Sequence, residues 1–298
     1  MLLLSGELTY AQSLPTVVSG SIRRIENFSS QYIPSRNVDV WLPEGYNETR
    51  KYNVVYMHDG QMLFDSTQTW NKKVWKADYV FSQLIKEKKI ESCIIVAIWN
   101  NGADRISEYF PNKIFNLLDE KTRIELSEKY CNNKLANGDN YLKFLVSELK
   151  PYIDHHFSTK SDKDHTFMIG SSMGGLISIY AISEYPDIFG GVACISTAWL
   201  SQIEPNYAIP TATFDYLKRN MASPFGHKIY MDYGTGESDK NYEMTQSFVD
   251  LIAKGKGYDE NNYLSKVYDK AIHDEVAWYH RLNIPVEFLM TNAVHKDM

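Results

Sequence analysis

The chain reads as an α/β protein with a mainly parallel central sheet and helices on both faces. Three observations predict this. Nearly continuous apolar, β-branched runs recur along its 298 residues. Helical patterns lie between those runs. One of the helical segments is apolar almost all round, as a helix pressed against a sheet must be. Strands alternating with helices in this way pair in parallel beneath them.

Val38-Asp-Val-Trp-Leu42 alternates and stops at Pro43, which predicts a strand ending in a turn. Tyr52-Asn-Val-Val-Tyr-Met57 and Ser92-Cys-Ile-Ile-Val-Ala-Ile-Trp99 are apolar throughout and predict strands covered on both faces. The segment 100–138 is long and irregular. Asp139 is a candidate N-cap for a helix with Leu142, Leu145, Val146, Leu149 and Ile153 on one face. Thr166-Phe-Met-Ile169 is the next strand, and Met173 to Glu184 the helix that is apolar all round, ending before Pro186. Gly191-Val-Ala-Cys-Ile195 and Lys228-Ile-Tyr-Met-Asp-Tyr233 are strands, with a second irregular stretch at 197–226 between them. Ser265-Lys-Val-Tyr268 is strand-like, and Asp274 to Leu282 is helical. Long loops leaving the carboxyl ends of strands are where open α/β sheets bind ligands.

Composition excludes several functions. The formal net charge is −6, from 31 Lys+Arg against 37 Asp+Glu. With no basic run to track phosphates, the chain is not expected to bind nucleic acid. No segment has the apolar length of a membrane span. The three cysteines form no disulfide framework and no zinc pattern. Cys93 and Cys194 read as core residues, Cys131 as an unpaired surface thiol. There is no His-Glu-x-x-His motif and no ligand cluster, so neither a metal nor a cofactor is expected. Residues 1–20 read as a signal-peptide remnant or a flexible lead-in, and 21–298 as one catalytic domain. Met1-Leu-Leu-Leu4 and Tyr10-Ala-Gln12 favour a periplasmic or secreted location. The missing basic n-region and short apolar stretch keep the cytoplasm as the alternative.

The chemistry is carried by Gly170-Ser-Ser-Met-Gly174. It fits G-x-S-x-G, with an apolar strand before it and a buried helix after it, the context that gives the motif meaning. A sharp strand-to-helix turn needs small neighbours around Ser172, and it sets that hydroxyl at a helix N-terminus, where developing negative charge is favoured. A serine needs a base to take its proton. In a fold with this elbow the base comes late in the chain, after the acid. Of His273, His280 and His295, the first sits in a loop between a strand and a helix, where it can reach the nucleophile. The other five histidines read as surface or structural. The acid lies in Asp232-Tyr-Gly-Thr-Gly-Glu-Ser-Asp239: Glu237 is best placed, with Asp232 and Asp239 as alternatives. The oxyanion hole needs two backbone N–H groups. Met173 follows the nucleophile, and Gln61 lies in His58-Asp-Gly-Gln-Met62, the loop after the strand that ends at Met57.

These residues, with Val38-Asp-Val-Trp-Leu-Pro43, His58-Asp-Gly-Gln-Met-Leu-Phe-Asp65, Arg105-Ile-Ser-Glu-Tyr109 with Pro111, and His273-Asp-Glu-Val-Ala-Trp278, resemble the Putative esterase family of α/β-hydrolases. That family includes esterase D-like, feruloyl-esterase-like and ferric-enterobactin-esterase-like enzymes. The resemblance runs over roughly residues 35 to 290. It implies a serine hydrolase of carboxylic esters, with Ser172 as nucleophile, His273 as base, and Gln61 and Met173 as oxyanion donors. The family's acid is Asp in many members and Glu in others, and some siderophore esterases look like Ser–His dyads. The first loop commonly reads Asp-Gly-Gln-Asn, and here Met62 takes the last position.

The expected substrate is a small-molecule or glycan-linked ester, with a carbohydrate-linked or phenolic acyl ester favoured and a siderophore ester next. Trp70, Trp75, Trp99, Tyr109, Trp199, Tyr207 and Trp278 are divided between core packing and stacking on substrate. Two other classes remain: an inactive relative that binds a glycan or a partner, and an acyltransferase using a sugar acceptor. The sequence does not set the oligomeric state. A histidine base predicts activity that rises as pH rises and the ring loses its proton.

Overall fold

The computed structural model describes residues 13–199 and 207–291. The apolar and small-residue signals of residues 1–12, and His295, lie outside them. Residues 13–20 carry no helix or strand. Eight strands follow among the described residues: β1 Ser21–Phe28, β2 Arg36–Leu42, β3 Asn53–Met57, β4 Cys93–Ile98, β5 Thr166–Ser171, β6 Gly191–Ile195, β7 Lys228–Gly234 and β8 Tyr263–Tyr268. They form one sheet in the order β1-β2-β4-β3-β5-β6-β7-β8. β1 pairs antiparallel with β2, and β2 antiparallel with β4. Every other pair is parallel.

The helices are α1 Ala77–Lys86, α2 Arg105–Tyr109, α3 Asn112–Phe115, α4 Glu120–Tyr130, α5 Gly138–Phe144, α6 Lys150–His156, α7 Met173–Glu184, α8 Ala208–Asn220, α9 Glu243–Gly255, α10 Glu275–Tyr279 and α11 Asn283–Met290. Side chains that alternate along a strand fill different cores, because the pleat has a period of two. Val54, Tyr56, Ile94 and Val96 join a core with α5, α7, α8 and α9. Val55, Met57, Ile95 and Ala97 join one with α1 and α11 on the other face. That double coverage is why these strands are apolar without interruption.

Several expectations need correction. The stretch 100–138 holds α2 and α3, each of four or five residues, and the eleven-residue α4, and 197–226 contains α8. The helix expected from an Asp139 N-cap starts two residues earlier, after Asn137, and Asp139 instead accepts a 2.5 Å hydrogen bond from the Tyr180 hydroxyl. It continues through a wide π turn at Leu145–Leu149 into α6. Pro151 explains the widening, since its ring offers no N–H and crowds the preceding turn. The helix expected over 274–282 is the shorter α10, capped by Asp274 accepting from Ala277 N–H at 2.7 Å. Cys131 is buried, as are Cys93 and Cys194. Its polar neighbours point outward while its own side chain turns into the core with Leu126 and Ala136.

Candidate active site

Ser172 joins β5 to α7 with φ 58° and ψ −124°. This is strained for a residue with a side chain, and it lifts the hydroxyl out of the turn. Its carbonyl accepts from Gly175, Leu176 and Ala198 N–H, and its own N–H donates to Ile195 O at 2.9 Å, so both sides of the turn are fixed. Gly170 is required by close approach: a Cβ there would lie 2.5 Å from the Gly174 carbonyl and 2.7 Å from the His58 ring. Met173 is the first residue of α7, so its N–H has no carbonyl one turn back within the helix.

The elbow opens into a cleft of about 740 Å³ whose lining includes Asp59, Gln61, Trp70, Asn71, Lys73, Ser172, His273 and Glu275. The walls come from the segments after β3, β4, β5 and β8, at the carboxyl ends of the parallel strands. Gln61 sits in a one-turn helix, Gly60–Met62, that packs on β4, where a Cβ on Gly60 would meet the Ala97 carbonyl at 2.5 Å. The Gln61 side chain is held as well, its Oε1 accepting from Asn100 N–H at 3.1 Å. Asp59 precedes it at φ 57° and is clamped by Arg105 through two bonds of 2.6 and 2.7 Å and by Asn100 at 2.8 Å. Burial works to raise the Asp59 carboxyl, but the charge and hydrogen bonds of Arg105 outweigh it and hold it below the usual range.

His273 stands in the loop before α10, edge-on to Trp278 and Tyr242 at ring distances of 5.1 and 6.0 Å. Its Nδ1 lies 2.6 Å from Oδ1 of Asp239, a fully buried carboxylate. Burial pushes the Asp239 carboxyl up, yet hydrogen bonds from His273 and Ser196 bring it below the ordinary range. An ionised carboxylate only accepts, so Nδ1 carries the proton and Nε2 keeps a free lone pair. Among the described residues no hydrogen bond joins the Ser172 hydroxyl to the ring; what they share is the cleft.

The carboxylate on His273 is therefore that of Asp239, one of the alternatives the sequence left open, and not that of Glu237, the one favoured there. The turn reverses after Gly234, with Gly236 O accepting from Asp239 N–H at 3.1 Å, and this brings Asp239 back beside the end of β7. Glu237 sits at the outside of that turn, exposed, at φ 44°. Asp232 is buried but committed elsewhere: it accepts from Arg281 at 3.0 and 3.1 Å, from Ser196 N–H at 3.0 Å and from the Tyr230 hydroxyl at 2.9 Å. Burial raises its carboxyl and the Arg281 guanidinium opposes the rise.

Ser196 links the two carboxylates. Its hydroxyl oxygen lies 2.7 Å from Arg281 Nη2, 3.1 Å from Trp278 Nε1 and 2.6 Å from Asp239 Oδ2. Arginine and indole nitrogens only donate, so the one Ser196 proton is directed at Asp239. With Gly234 N–H also donating to Oδ2 at 3.0 Å, that oxygen is satisfied and Oδ1 is left to His273. Sequence reading missed Ser196 and Arg281. The local signals were the Trp278–Arg281 spacing after His273 and the small residue following β6.

Among the remaining histidines, His58 is buried with Nδ1 2.8 Å from the Tyr141 hydroxyl. Burial, reinforced by Arg105 and opposed by Asp59, pushes it down to about 4. His280 is exposed at the end of α10. Trp75, Tyr109, Trp199 and Trp278 are core, while Trp70 and Tyr207 are exposed.

The sequence model described as Putative esterase matches residues 29–288. A Bacillus subtilis (strain 168) protein, Uncharacterized protein YbbA, is 23% identical over 80% of this chain and 86% of its own length. An endo-1,4-beta-xylanase/feruloyl esterase from Xylanibacter ruminicola is 26% identical over 57% of this chain, which spans 21% of that protein. A solved ferulic acid esterase superposes with a TM-score of 0.65 at 18% identity, covering 91% of this chain and 98% of that one, so the two share the α/β-hydrolase fold.

Proposed function

The chain belongs to the Putative esterase family and is a carboxylic ester hydrolase by that membership; we propose that it works through Ser172, His273 and Asp239 and an acyl-enzyme, on acyl esters carried by carbohydrate. The observation that carries the triad is the 2.6 Å bond from His273 Nδ1 to a buried carboxylate, behind a serine strained outward into the same cleft. Neutral His273 accepts the Ser172 proton on Nε2 as Oγ attacks the ester carbonyl carbon. The carbonyl electron pair moves onto oxygen, where the N–H groups of Gln61 and Met173 meet it. The intermediate collapses, the alkoxide takes the proton from His273, and the alcohol leaves. Water then repeats the sequence on the acyl-enzyme and releases the acid.

A carbohydrate-linked or phenolic acyl ester is favoured by the relative whose name pairs a xylanase with a feruloyl esterase. The cleft offers little to a highly anionic ferric siderophore. Its cations Lys73 and Arg105 are each paired, with Asp274 and Asp59. The test is hydrolysis of p-nitrophenyl acetate and methyl ferulate by the wild type and by Ser172→Ala. Ser172→Ala should be folded and slower by several orders of magnitude. A wild type inert on both esters and unlabelled by a fluorophosphonate would instead favour a binding role. Product analysis with an added oligosaccharide separates hydrolysis from acyl transfer.

A further inference from the structure

Trp70 is 84% exposed, whereas Trp41, Trp75, Trp199 and Trp278 are buried. It lines the catalytic cleft. The segment that carries it is not loose. Asp65 accepts from Thr16 N–H at 3.0 Å and Thr67 N–H at 2.9 Å, and Trp75 N–H donates to Met62 O at 3.1 Å. Two further ties hold it to the segment of the base: Asn71 Nδ2 donates to Glu275 at 2.9 Å and Lys73 Nζ to Asp274 at 2.8 Å. An indole left in water on a pinned loop at the mouth of a cleft is a preformed platform for a ring.

The side of the cleft follows from the chemistry. His273 must hand its proton to the departing oxygen, so the alcohol half of the ester lies on the side of the base. Asp274 and Glu275, which anchor the Trp70 loop, directly follow His273 in the chain. The groups beside the indole are hydrogen-bonding ones: Asn71, Lys73, Asn100 and Glu275 line the same space. A flat apolar face bordered by amide, ammonium and carboxylate groups suits a sugar ring, which has C–H faces and a hydroxyl rim.

We propose that Trp70 is the platform for the alcohol half of the ester and that this alcohol is a saccharide, stacked on the indole with its hydroxyls toward Asn71 and the Lys73–Asp274 pair. The inference rests on the esterase reading and deepens it. The experiment compares esters with one acyl group and two alcohols, methyl ferulate and a feruloylated arabinoxylan oligosaccharide. Trp70→Ala should lower kcat/KM for the oligosaccharide ester roughly tenfold or more, mainly through KM. It should leave methyl ferulate within about twofold. Trp70→Phe should recover most of the loss. Equal losses on both esters, or no loss on either, would overturn the proposal. A loss that follows the acyl group when acetyl replaces feruloyl would also overturn it. Titration calorimetry of Ser172→Ala with xylotriose, with and without Trp70→Ala, separates this inference from the one beneath it. Sugar binding that needs Trp70 in a chain that hydrolyses nothing would sink the esterase reading alone. Hydrolysis with no sugar binding and no alcohol dependence would sink the platform alone.

Discussion

Replacing Asp239 by Asn tests the assignment of the acid most directly. The change keeps size and shape but exchanges one acceptor oxygen for a donor. Two donors already address Oδ2, the Ser196 hydroxyl at 2.6 Å and Gly234 N–H at 3.0 Å. The side-chain amide of the variant therefore keeps its oxygen toward them and turns its NH₂ toward His273. The ring answers by presenting Nδ1 as acceptor, which moves its proton to Nε2. A ring protonated at Nε2 cannot accept the Ser172 proton. The expected loss in kcat is about 10³- to 10⁴-fold, equivalent to about 4–5 kcal/mol of transition-state stabilisation. The assay is steady-state hydrolysis of p-nitrophenyl acetate, with thermal unfolding to show that the variant is folded. Glu237→Gln is the control: exposed and without a bond to the ring, it should stay within about twofold. Collapse of Glu237→Gln, or an Asn variant that keeps more than about a tenth of the activity, would refute the reasoning.

Two other perturbations are informative. Arg281→Met strands the fully buried Asp232 and should destabilise the chain by about 3–5 kcal/mol in urea unfolding. Ser196→Ala, which removes one donor to Asp239, should lower kcat about tenfold, and because it also takes an acceptor from Arg281 and Trp278 it should cost about 1–3 kcal/mol of stability; a normal kcat would mean that His273 is oriented without it. His58 predicts a stability that falls with pH. Burial first, and Arg105 after it, push it down to about 4. Between the ordinary histidine range near pH 6.5 and about 4, the unfolded chain therefore binds a proton that the folded chain refuses. Stability should drop across that window by about 3 kcal/mol at its lower end. Urea unfolding at pH 7 and 4.5 should show a shallower fall for His58→Gln, and an unchanged slope would exclude His58 as the source.

The strands β3 to β6 were legible because burial on both faces writes itself as a nearly continuous apolar run, and β2 because it alternates up to Pro43. β1 was not, since this edge strand has half its residues exposed and its apolar residues Ile22, Ile25 and Phe28 give neither an apolar run nor a period of two. The helices inside 100–138 were hidden for a related reason: α2 and α3 are four or five residues long, too short to express a period. Cys131 reads as a surface residue because its neighbours in sequence are polar, whereas the turn of the chain after α4 points it into the core.

Ser172 and His273 could be proposed from the chain alone because each stands in a local pattern, a strand–turn–helix elbow and a loop before a capped helix. The acid could not be chosen that way. Glu237 and Asp239 are two residues apart in one polar turn, and what separates them is the reversal after Gly234. That reversal, together with Ser196 at the end of β6 and Arg281 beyond α10, directs one carboxylate inward and leaves the other in water. The same holds for Trp70, whose loop is tied through Asn71 and Lys73 to Glu275 and Asp274, some 200 residues away, and so lines the same cleft as His273. Local pattern is set by neighbours along the backbone and survives in the sequence. Which side chains meet across the sheet ends depends on packing between distant elements, and only the tertiary structure decides it.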